Sequence, residues 1–193
     1  QGGGSWLAVN ASGLLVGLLN NYEAGEVRTP GVAPSRGLLV TRLAPLPSLS
    51  EVSSRVANLD FAPYAPFYLF TCSPEEYGLF WWSWNGEALT FHQHTREPWL
   101  LTTSSLQREA ISSHRRTCFE KTPQDRVNLE QLHHALDPER PERSFRMLRE
   151  DAQTVSISRI DISDTQILFQ YHALGRDNPS ERTAHSIPRT LQV

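Results

Sequence analysis

The sequence predicts an α+β fold in which two β-sheets are covered on the outside by pairs of helices. Apolar and aromatic runs of strand length occur at the start, in the middle and near the end of the chain, and segments with helical periodicity separate them. The strands are nearly continuous in apolar content, as expected when both faces of a sheet are covered. A chain of 193 residues is long enough to bury such a core.

The first predicted element is a hairpin. Residues 6–9 are apolar and of strand length, Ala11-Ser12-Gly13 supplies a turn, and residues 14–19 form a near-continuous apolar run. The second strand of this hairpin is therefore expected to be buried on both faces.

Two helices are predicted next, joined by a proline turn. Ser35 is the predicted N-cap of a short helix that runs through Leu43 and is ended by Pro45 and Pro47. Ser48 and Glu51 have the spacing of a capping box and start the second helix. Its apolar residues recur at helical spacing: Leu49, Val52, Val56 and Leu59.

The middle of the chain is rich in predicted strands. Asn85-Gly86, with aromatic residues before it, is a strong hairpin signal. The predicted strands here are residues 67–72, 77–84, 88–92 and 100–103.

The second half predicts helices and then strands. Ser104 is the predicted N-cap of a helix that follows residues 100–103, with Gln107 three positions later. The remaining predicted elements are a helix carrying Leu129, Leu132 and Leu136 and two strands at 154–160 and 166–171. Residues 1–174 are predicted to form one domain. Residues 175–193, which have little apolar content, are predicted to be a disordered tail.

Composition excludes some classes of partner. The net charge of −3 gives no reason to expect binding to nucleic acid, and no apolar run approaches the roughly 20 residues of a membrane helix. Cys72 and Cys118 fit two free thiols in a reducing compartment, although the sequence leaves a disulfide open. We therefore predict a cytoplasmic protein without membrane insertion.

The start of the chain resembles the Asn-Arg-Asp-Glu (NRDE) family, whose eukaryotic members are known as transport and Golgi organisation proteins. The similar residues are Gly3-Gly4-Ser5-Trp6-Leu7 with Gly13 and Asn20, then Ser35-Arg36-Gly37 with Leu39-Val40. Weaker similarity follows at residues 101–105, 149–152 and 154–156. The resemblance covers about residues 2–172 and is most specific before residue 44.

This resemblance implies a fold similar to that of the N-terminal-nucleophile (Ntn) hydrolases, a four-layer αββα sandwich that is incomplete here at its N-terminus. In such enzymes an N-terminal Cys uses its own α-amine as general base and attacks an amide carbonyl. The family motif and that Cys are expected upstream of Gly3, outside this sequence. Cys72 and Cys118 are internal and have no α-amine, so the chain as given is expected to hydrolyse no amide.

The resemblance implies two candidate catalytic residues. Asn20 follows Gly13 by seven positions, the spacing at which related hydrolases place an oxyanion-hole asparagine. The alternative is that Asn20 starts a turn after a strand. Ser104 lies near the place of another asparagine of the family, and its alternative role is the helix cap.

Three further residues are candidate ligand-binding residues: Trp6, Arg36 and Arg149. Arg36 lies at a predicted helix start, where a carboxylate or phosphate would be favoured, and the alternative is a structural acid. Arg149 precedes Glu150-Asp151, which favours a local ion pair.

The spacing of the histidines does not favour a metal site. His92 and His94 share a strand face, but no third ligand lies near them, and His133 and His134 point to different sides of a helix. We predict no metal and no cofactor. Phe80, Trp81, Trp82 and Trp84 are predicted to divide between core packing and an apolar pocket.

Two functions follow from the resemblance. The full-length protein is predicted to be an Ntn-type hydrolase of amide (C–N) bonds, and the alternative is a binding or trafficking protein for an amphipathic ligand such as haem or a fatty-acyl compound. The expected partner is accordingly an amide substrate or a small amphipathic molecule. Homo-oligomerisation is left open.

Overall fold

A computed structural model describes residues 3–24, 33–95, 98–175 and 181–190. These residues contain two antiparallel sheets and four α-helices, which confirms the α+β class. They form two compact units. One unit comprises Gln1–Trp99 with Arg189–Val193, and the other comprises Leu100–Pro188.

The first unit is built on a five-stranded sheet in which each strand pairs antiparallel with its neighbours in sequence. Its strands are β1 Leu7–Val9, β2 Leu15–Asn20, β3 Phe67–Ser73, β4 Glu76–Trp84 and β5 Leu89–His94. The two predicted hairpins are confirmed, with β1 paired to β2 and β4 paired to β5. In the second hairpin Asn85 Oδ1 accepts from the backbone amides of Glu87 and Ala88, and Gly86 takes the positive φ of 101° that the turn requires.

Two helices accompany this sheet, α1 Gly37–Leu43 and α2 Leu49–Ala57. The capping box of α2 is confirmed in its first half, since Ser48 Oγ accepts from the amide of Glu51 at 3.3 Å. The predicted cap of α1 at Ser35 is wrong. Its carbonyl, rather than its hydroxyl, accepts from the amide of Leu38, and Arg36 occupies the N-cap position without a side-chain capping bond.

The core of this unit lies between the helices and one face of the sheet. In β2 three consecutive residues, Val16, Gly17 and Leu18, are buried, as predicted for the second strand of the first hairpin. Strands β3 and β4 instead alternate between buried and less buried residues, so the expectation of strands buried on both faces is wrong for these two. The alternation arises because α1 and α2 pack against one face, on which each fully buried Leu or Val contributes about 1.5–3 kcal/mol. The fully buried aliphatic residues of this unit are Leu14, Val16, Leu18, Leu39, Val40, Leu43, Val52, Val56 and Leu69.

The second unit combines helices with a three-stranded antiparallel sheet of order β6-β7-β8. Its elements are α3 Arg108–Lys121, α4 Arg126–His134, a 3₁₀ turn Pro141–Arg143, β6 Ser156–Ile162, β7 Gln166–Ala173 and β8 Arg182–Pro188. Helix α4 begins after Asp125, whose carboxylate accepts from the amides of Val127 and Asn128 at 3.0 Å.

Two local predictions in this unit are wrong. Residues 100–103 form no strand, and Ser104 does not cap a helix. Ser104 Oγ instead donates to the carbonyl of Leu106 at 2.7 Å and accepts from its amide, which closes a local turn. Helix α3 therefore starts only at Arg108, after Gln107 with its positive φ of 39°.

The predicted disordered tail contains a strand instead. Arg182–Pro188 pairs with β7 over its whole length, from Arg182 opposite His172 to Pro188 opposite Gln166. A backbone ladder stabilises this segment although its side chains are exposed. Residues 176–180 and 191–193 of that prediction lie outside the described residues.

Among the described residues, no helix is both long enough and apolar enough to cross a membrane. Cys72 and Cys118 are not joined by a disulfide bond.

Candidate functional site

Three of the five candidate site residues lie at one corner of the first unit, where β2 ends and α1 begins. Asn20 is the last residue of β2, Arg36 directly precedes α1, and Trp6 directly precedes β1. The other two, Ser104 and Arg149, belong to the second unit.

This corner is organised around the carbonyl of Pro66. The guanidinium of Arg36 donates to it through Nη1 at 2.7 Å, and the backbone amide of Asn21 donates to it at 3.2 Å. Because Asn20 is paired with Phe67, the end of β2 and the start of α1 are tied to the same point of β3.

Close packing of two glycines brings the start of the chain to the same place. The amide of Ser5 donates to the carbonyl of Gly37 at 3.1 Å, and a Cβ added at Gly4 would lie 2.6 Å from the Gly37 carbonyl carbon. Only glycine at position 4 permits this approach. The next residue after Ser5, Trp6, leaves 54% of its surface exposed.

The side chain of Asn20 does not take part in the turn that follows β2. Its Nδ2 donates to the hydroxyl of Tyr22 at 2.7 Å, while its Oδ1 is buried without a hydrogen-bond partner among the described residues. The turn is held by Asn21, whose Oδ1 accepts from the amides of Glu23 and Ala24 at 3.0 and 3.3 Å. The turn, which was the alternative role for Asn20, is therefore made by Asn21.

The Asn20 amide has two isosteric orientations. In one, Nδ2 bonds to the Tyr22 hydroxyl and an acceptor is left buried; in the other, that hydroxyl donates to Oδ1 and Nδ2 becomes the buried free donor. A ligand oxygen carrying negative charge would favour the second orientation, because it would accept from Nδ2.

Arg36 places a positive charge beside this amide. Burial lowers the pKa of its guanidinium, and the nearby Tyr22 opposes this shift. No carboxylate among the described residues lies within 4.0 Å of it. The structural acid considered as an alternative partner is thus not found in the described part of the chain, and Arg36 keeps the capacity to attract an anion.

Ser104 and Arg149 occupy a different setting. Arg149 forms the predicted local ion pair, with Nε 3.1 Å from Asp151 Oδ1, and its Nη1 donates to Ser105 Oγ at 3.1 Å. The hydroxyl of Ser104 is engaged with the backbone of Leu106. Both side chains are thus engaged in contacts within the second unit.

The histidines of the first unit are held by aromatic packing. The His92 ring stacks on Trp81 with centroids 4.9 Å apart, and its Nε2 lies 3.1 Å from Ser83 Oγ. Within the described segments, no group of three or more His, Cys, Asp or Glu side chains could hold a metal ion.

One pair of histidines was not predicted from the sequence to lie close together. His134 of α4 and His172 of β7 lie with ring centroids 5.0 Å apart, far apart in sequence. The alternation of side chains along a strand places two polar residues, Gln170 and His172, on one face of β7, and this was the feature of the sequence that could have indicated a polar site.

Comparison with protein-family models and with curated proteins found no match for this sequence.

Proposed function

We propose that this chain is the larger part of an Ntn-type amide hydrolase of the NRDE family, with a four-layer αββα fold, in which Asn20 donates to the oxyanion of the transition state. The observation that carries the proposal is the buried amide of Asn20, which retains an atom without a partner while Asn21 makes the turn. A buried polar atom without a partner costs about 1–3 kcal/mol, so its retention suggests a ligand.

The chemistry requires charge stabilisation at this point. Attack of a thiolate on an amide carbonyl places negative charge on the carbonyl oxygen, and an amide N–H aimed at that oxygen contributes on the order of 3 kcal/mol. In this proposal Nδ2 of Asn20 is that donor. Arg36, with no carboxylate within 4.0 Å in the described part of the chain, adds a favourable charge nearby.

The proposed nucleophile is the N-terminal Cys that the family resemblance places upstream of Gly3. Neither Cys72 nor Cys118 can replace it, because an internal residue has no α-amine to act as its general base. The leaving amine takes a proton that the α-amine acquired from the thiol, and water then hydrolyses the thioester.

The test uses the protein extended by its natural upstream sequence and a panel of acyl amides. We expect amide hydrolysis that Asn20→Ala lowers about 100-fold in kcat with a modest change in KM, as for loss of a transition-state donor. Asn21→Ala is the matched control and should act on stability rather than on kcat. An unchanged kcat in Asn20→Ala would refute the oxyanion role.

The second candidate function is binding of an amphipathic ligand such as a fatty-acyl compound or haem. It is favoured by the exposed indole of Trp6 and by the position of Arg36 in the adjoining backbone, since the bond between Ser5 and Gly37 joins the residues next to them. An apolar body over the indole and a carboxylate at the guanidinium would fit this pair.

Laurate binding to the 193-residue chain distinguishes this function. Quenching of tryptophan fluorescence that is lost in both Trp6→Phe and Arg36→Gln, but kept in the exposed control Arg55→Gln, would support it. Quenching that all three variants retain would exclude this corner as the ligand site.

A further inference from the structure

The second unit contains a cavity of about 100 Å³ bounded by α4 and by all three strands of the β6-β7-β8 sheet. Its polar and charged lining comes from four elements. The residues that matter here are Glu130, His134, Arg159, Gln170, His172 and Arg182.

The register of the sheet explains why these side chains meet. His172 is paired with Ile157 on β6 and with Arg182 on β8, and paired residues in adjacent strands share a face. Gln170 lies two residues earlier on β7 and therefore on the same face. Helix α4 packs over that face, since the His134 ring lies 5.0 Å from the His172 ring.

Three buried polar atoms of this face have no hydrogen-bond partner among the described residues. They are Gln170 Oε1 and both ring nitrogens of His172, Nδ1 and Nε2. Leaving a buried polar atom without a partner costs about 1–3 kcal/mol, and native proteins rarely do so without a reason. Their concentration in two neighbouring side chains that line one cavity points to a bound polar species.

The charges around the cavity indicate the sign of that species. Glu130 is matched by Arg159 at 2.9 Å, and Arg159 is also bound to Asp161 at 2.7 Å. Arg182 has no carboxylate within 4.0 Å in the described segments. It therefore leaves an unmatched positive charge at the cavity.

The imidazoles respond to this charge. Burial, and then the positive charge of Arg182, lowers the pKa of both His134 and His172. Arg146 acts in the same direction, and Glu130 of α4 opposes both. The other groups that face the pair are His133 on α4 and Arg159 on β6. Without a ligand, then, both rings favour the neutral form at neutral pH.

We propose that this cavity binds a small oxyanion, a phosphate or a carboxylate group, between Arg182 and the two imidazoles, and that binding is coupled to uptake of a proton by the imidazole pair. The anion accepts from the guanidinium and from ring N–H groups, and its charge favours the imidazolium form. Protonation turns both nitrogens of a ring into donors, which gives His172 a use for its two unpartnered atoms.

A divalent cation fits this cavity less well. Arg182 and Arg146 repel it, and the two imidazoles are not joined by a third His, Cys, Asp or Glu ligand in metal-binding geometry within the described residues. The cation is kept as an outcome of the test.

The test is calorimetric titration of the 193-residue chain with sulfate and with acetate at pH 5.5 and 7.5. Sulfate keeps its charge over this range, so a pH dependence of its affinity reports on the protein. We expect binding at least tenfold tighter at pH 5.5, with proton uptake measured in buffers of different ionisation enthalpy. Preference for sulfate over acetate, or the reverse, identifies the class of oxyanion.

The variants Arg182→Gln and His172→Gln are expected to lose at least tenfold in affinity at pH 5.5. Their controls are Arg116→Gln, exposed on α3, and His185→Gln, exposed on β8 at a position paired with Phe169 on the opposite face. His134→Gln, on the helix, provides a second imidazole variant if the central strand does not tolerate substitution. Circular dichroism checks that each variant is folded.

Two results would overturn the proposal. One is sulfate and acetate affinity that is equal in the cavity variants and in their controls, which would mean weak surface association only. The other is a shift of the His134 and His172 side-chain NMR resonances by Zn²⁺ with no response to either anion, which would assign the cavity to a cation.

Discussion

The side-chain amide of Asn20 is hydrogen-bonded to the hydroxyl of Tyr22 at 2.7 Å, so that a residue two positions later anchors this amide at the end of β2 in either of its two orientations. This bond separates Asn20 from the turn, which Asn21 makes. It also leaves the other polar atom of the amide buried and available to a ligand.

Removal of the Tyr22 hydroxyl should therefore leave both atoms of the Asn20 amide without a partner. We expect Tyr22→Phe to lower the free energy of unfolding by about 1–2 kcal/mol, measured by urea denaturation. Tyr77→Phe, at a residue that is 68% exposed, is the control and should change it by less than about 0.5 kcal/mol. Equal effects of the two substitutions would mean that the hydroxyl of Tyr22 does not hold the amide.

The two adjacent asparagines should differ in their contribution to stability. Asn21 is 7% exposed, donates to the carbonyl of Trp84 at 3.2 Å and accepts two backbone amides. We expect Asn21→Ala to cost about 2–3 kcal/mol and Asn20→Ala less than about 1 kcal/mol, because the second change also removes a buried atom without a partner. Thermal and urea unfolding measure the stability lost in each variant. A larger loss in Asn20→Ala than in Asn21→Ala would show that Asn20 is the structural residue.

The two serines before the first helices should also behave differently. Ser48 Oγ caps α2, whereas Ser35 makes no side-chain bond at the start of α1. Ser48→Ala is expected to cost about 1 kcal/mol of stability, and Ser35→Ala less than about 0.5 kcal/mol. A loss of stability in Ser35→Ala as large as that in Ser48→Ala would show that Ser35 caps α1, as predicted from the sequence.

These contrasts show which parts of the fold can be predicted from the sequence. The hairpin at Asn85-Gly86 and the cap at Ser48 depend on hydrogen bonds within three residues, so the local sequence is sufficient to predict both. Ser35 and Ser104 carry the same residue type as Ser48 but use their polar atoms differently, and the choice between a cap and a local turn is not visible in the sequence pattern.

Elements that depend on distant partners were harder to predict. Strand β8 has exposed side chains and no apolar alternation, so its formation depends on the backbone ladder with β7. The His134 and His172 pair depends on α4 lying over that sheet. At the candidate site, the resemblance selected Asn20 and Arg36. The sequence pattern does not reveal that Arg36 and the amide of Asn21 both donate to the carbonyl of Pro66, or that Asn21 rather than Asn20 makes the turn.

Strand β8 gives a prediction that separates an ordered strand from a disordered tail. Amides of residues 182–188 that bond to β7 should exchange with solvent deuterium at least tenfold more slowly than intrinsic rates, because the ladder must open before exchange. The exposed turn residues Asp164 and Thr165 provide an internal comparison. Exchange of the whole segment at intrinsic rates would contradict the strand.

The stability of the folded chain should fall as the pH is lowered from 7.5 to 5.5. Burial is the first cause that lowers the pKa of His114, His134 and His172; the second is the charge of Arg143 for His114 and of Arg182 for the other two. Below the unfolded value of about 6.5, the unfolded chain therefore takes up protons that the folded chain does not. At pH 7.5 the imidazoles are mostly neutral in both states, so the stabilisation is nearly complete there, and it is lost as the pH falls through the unfolded value of about 6.5.

Urea unfolding of wild type, His172→Phe and His185→Phe at half-unit pH steps, in buffers without added oxyanions, measures this dependence. His172→Phe should show a shallower decline between pH 6.5 and 5.5, because one of the buried imidazoles has been removed. His185→Phe should decline as the wild type does, since the His185 side chain is exposed on β8. Added sulfate should restore stability in the wild type and not in His172→Phe, because an anion bound at the cavity favours the folded imidazolium form. A stability that is constant over this range would show that the buried imidazoles titrate alike in the folded and unfolded chains.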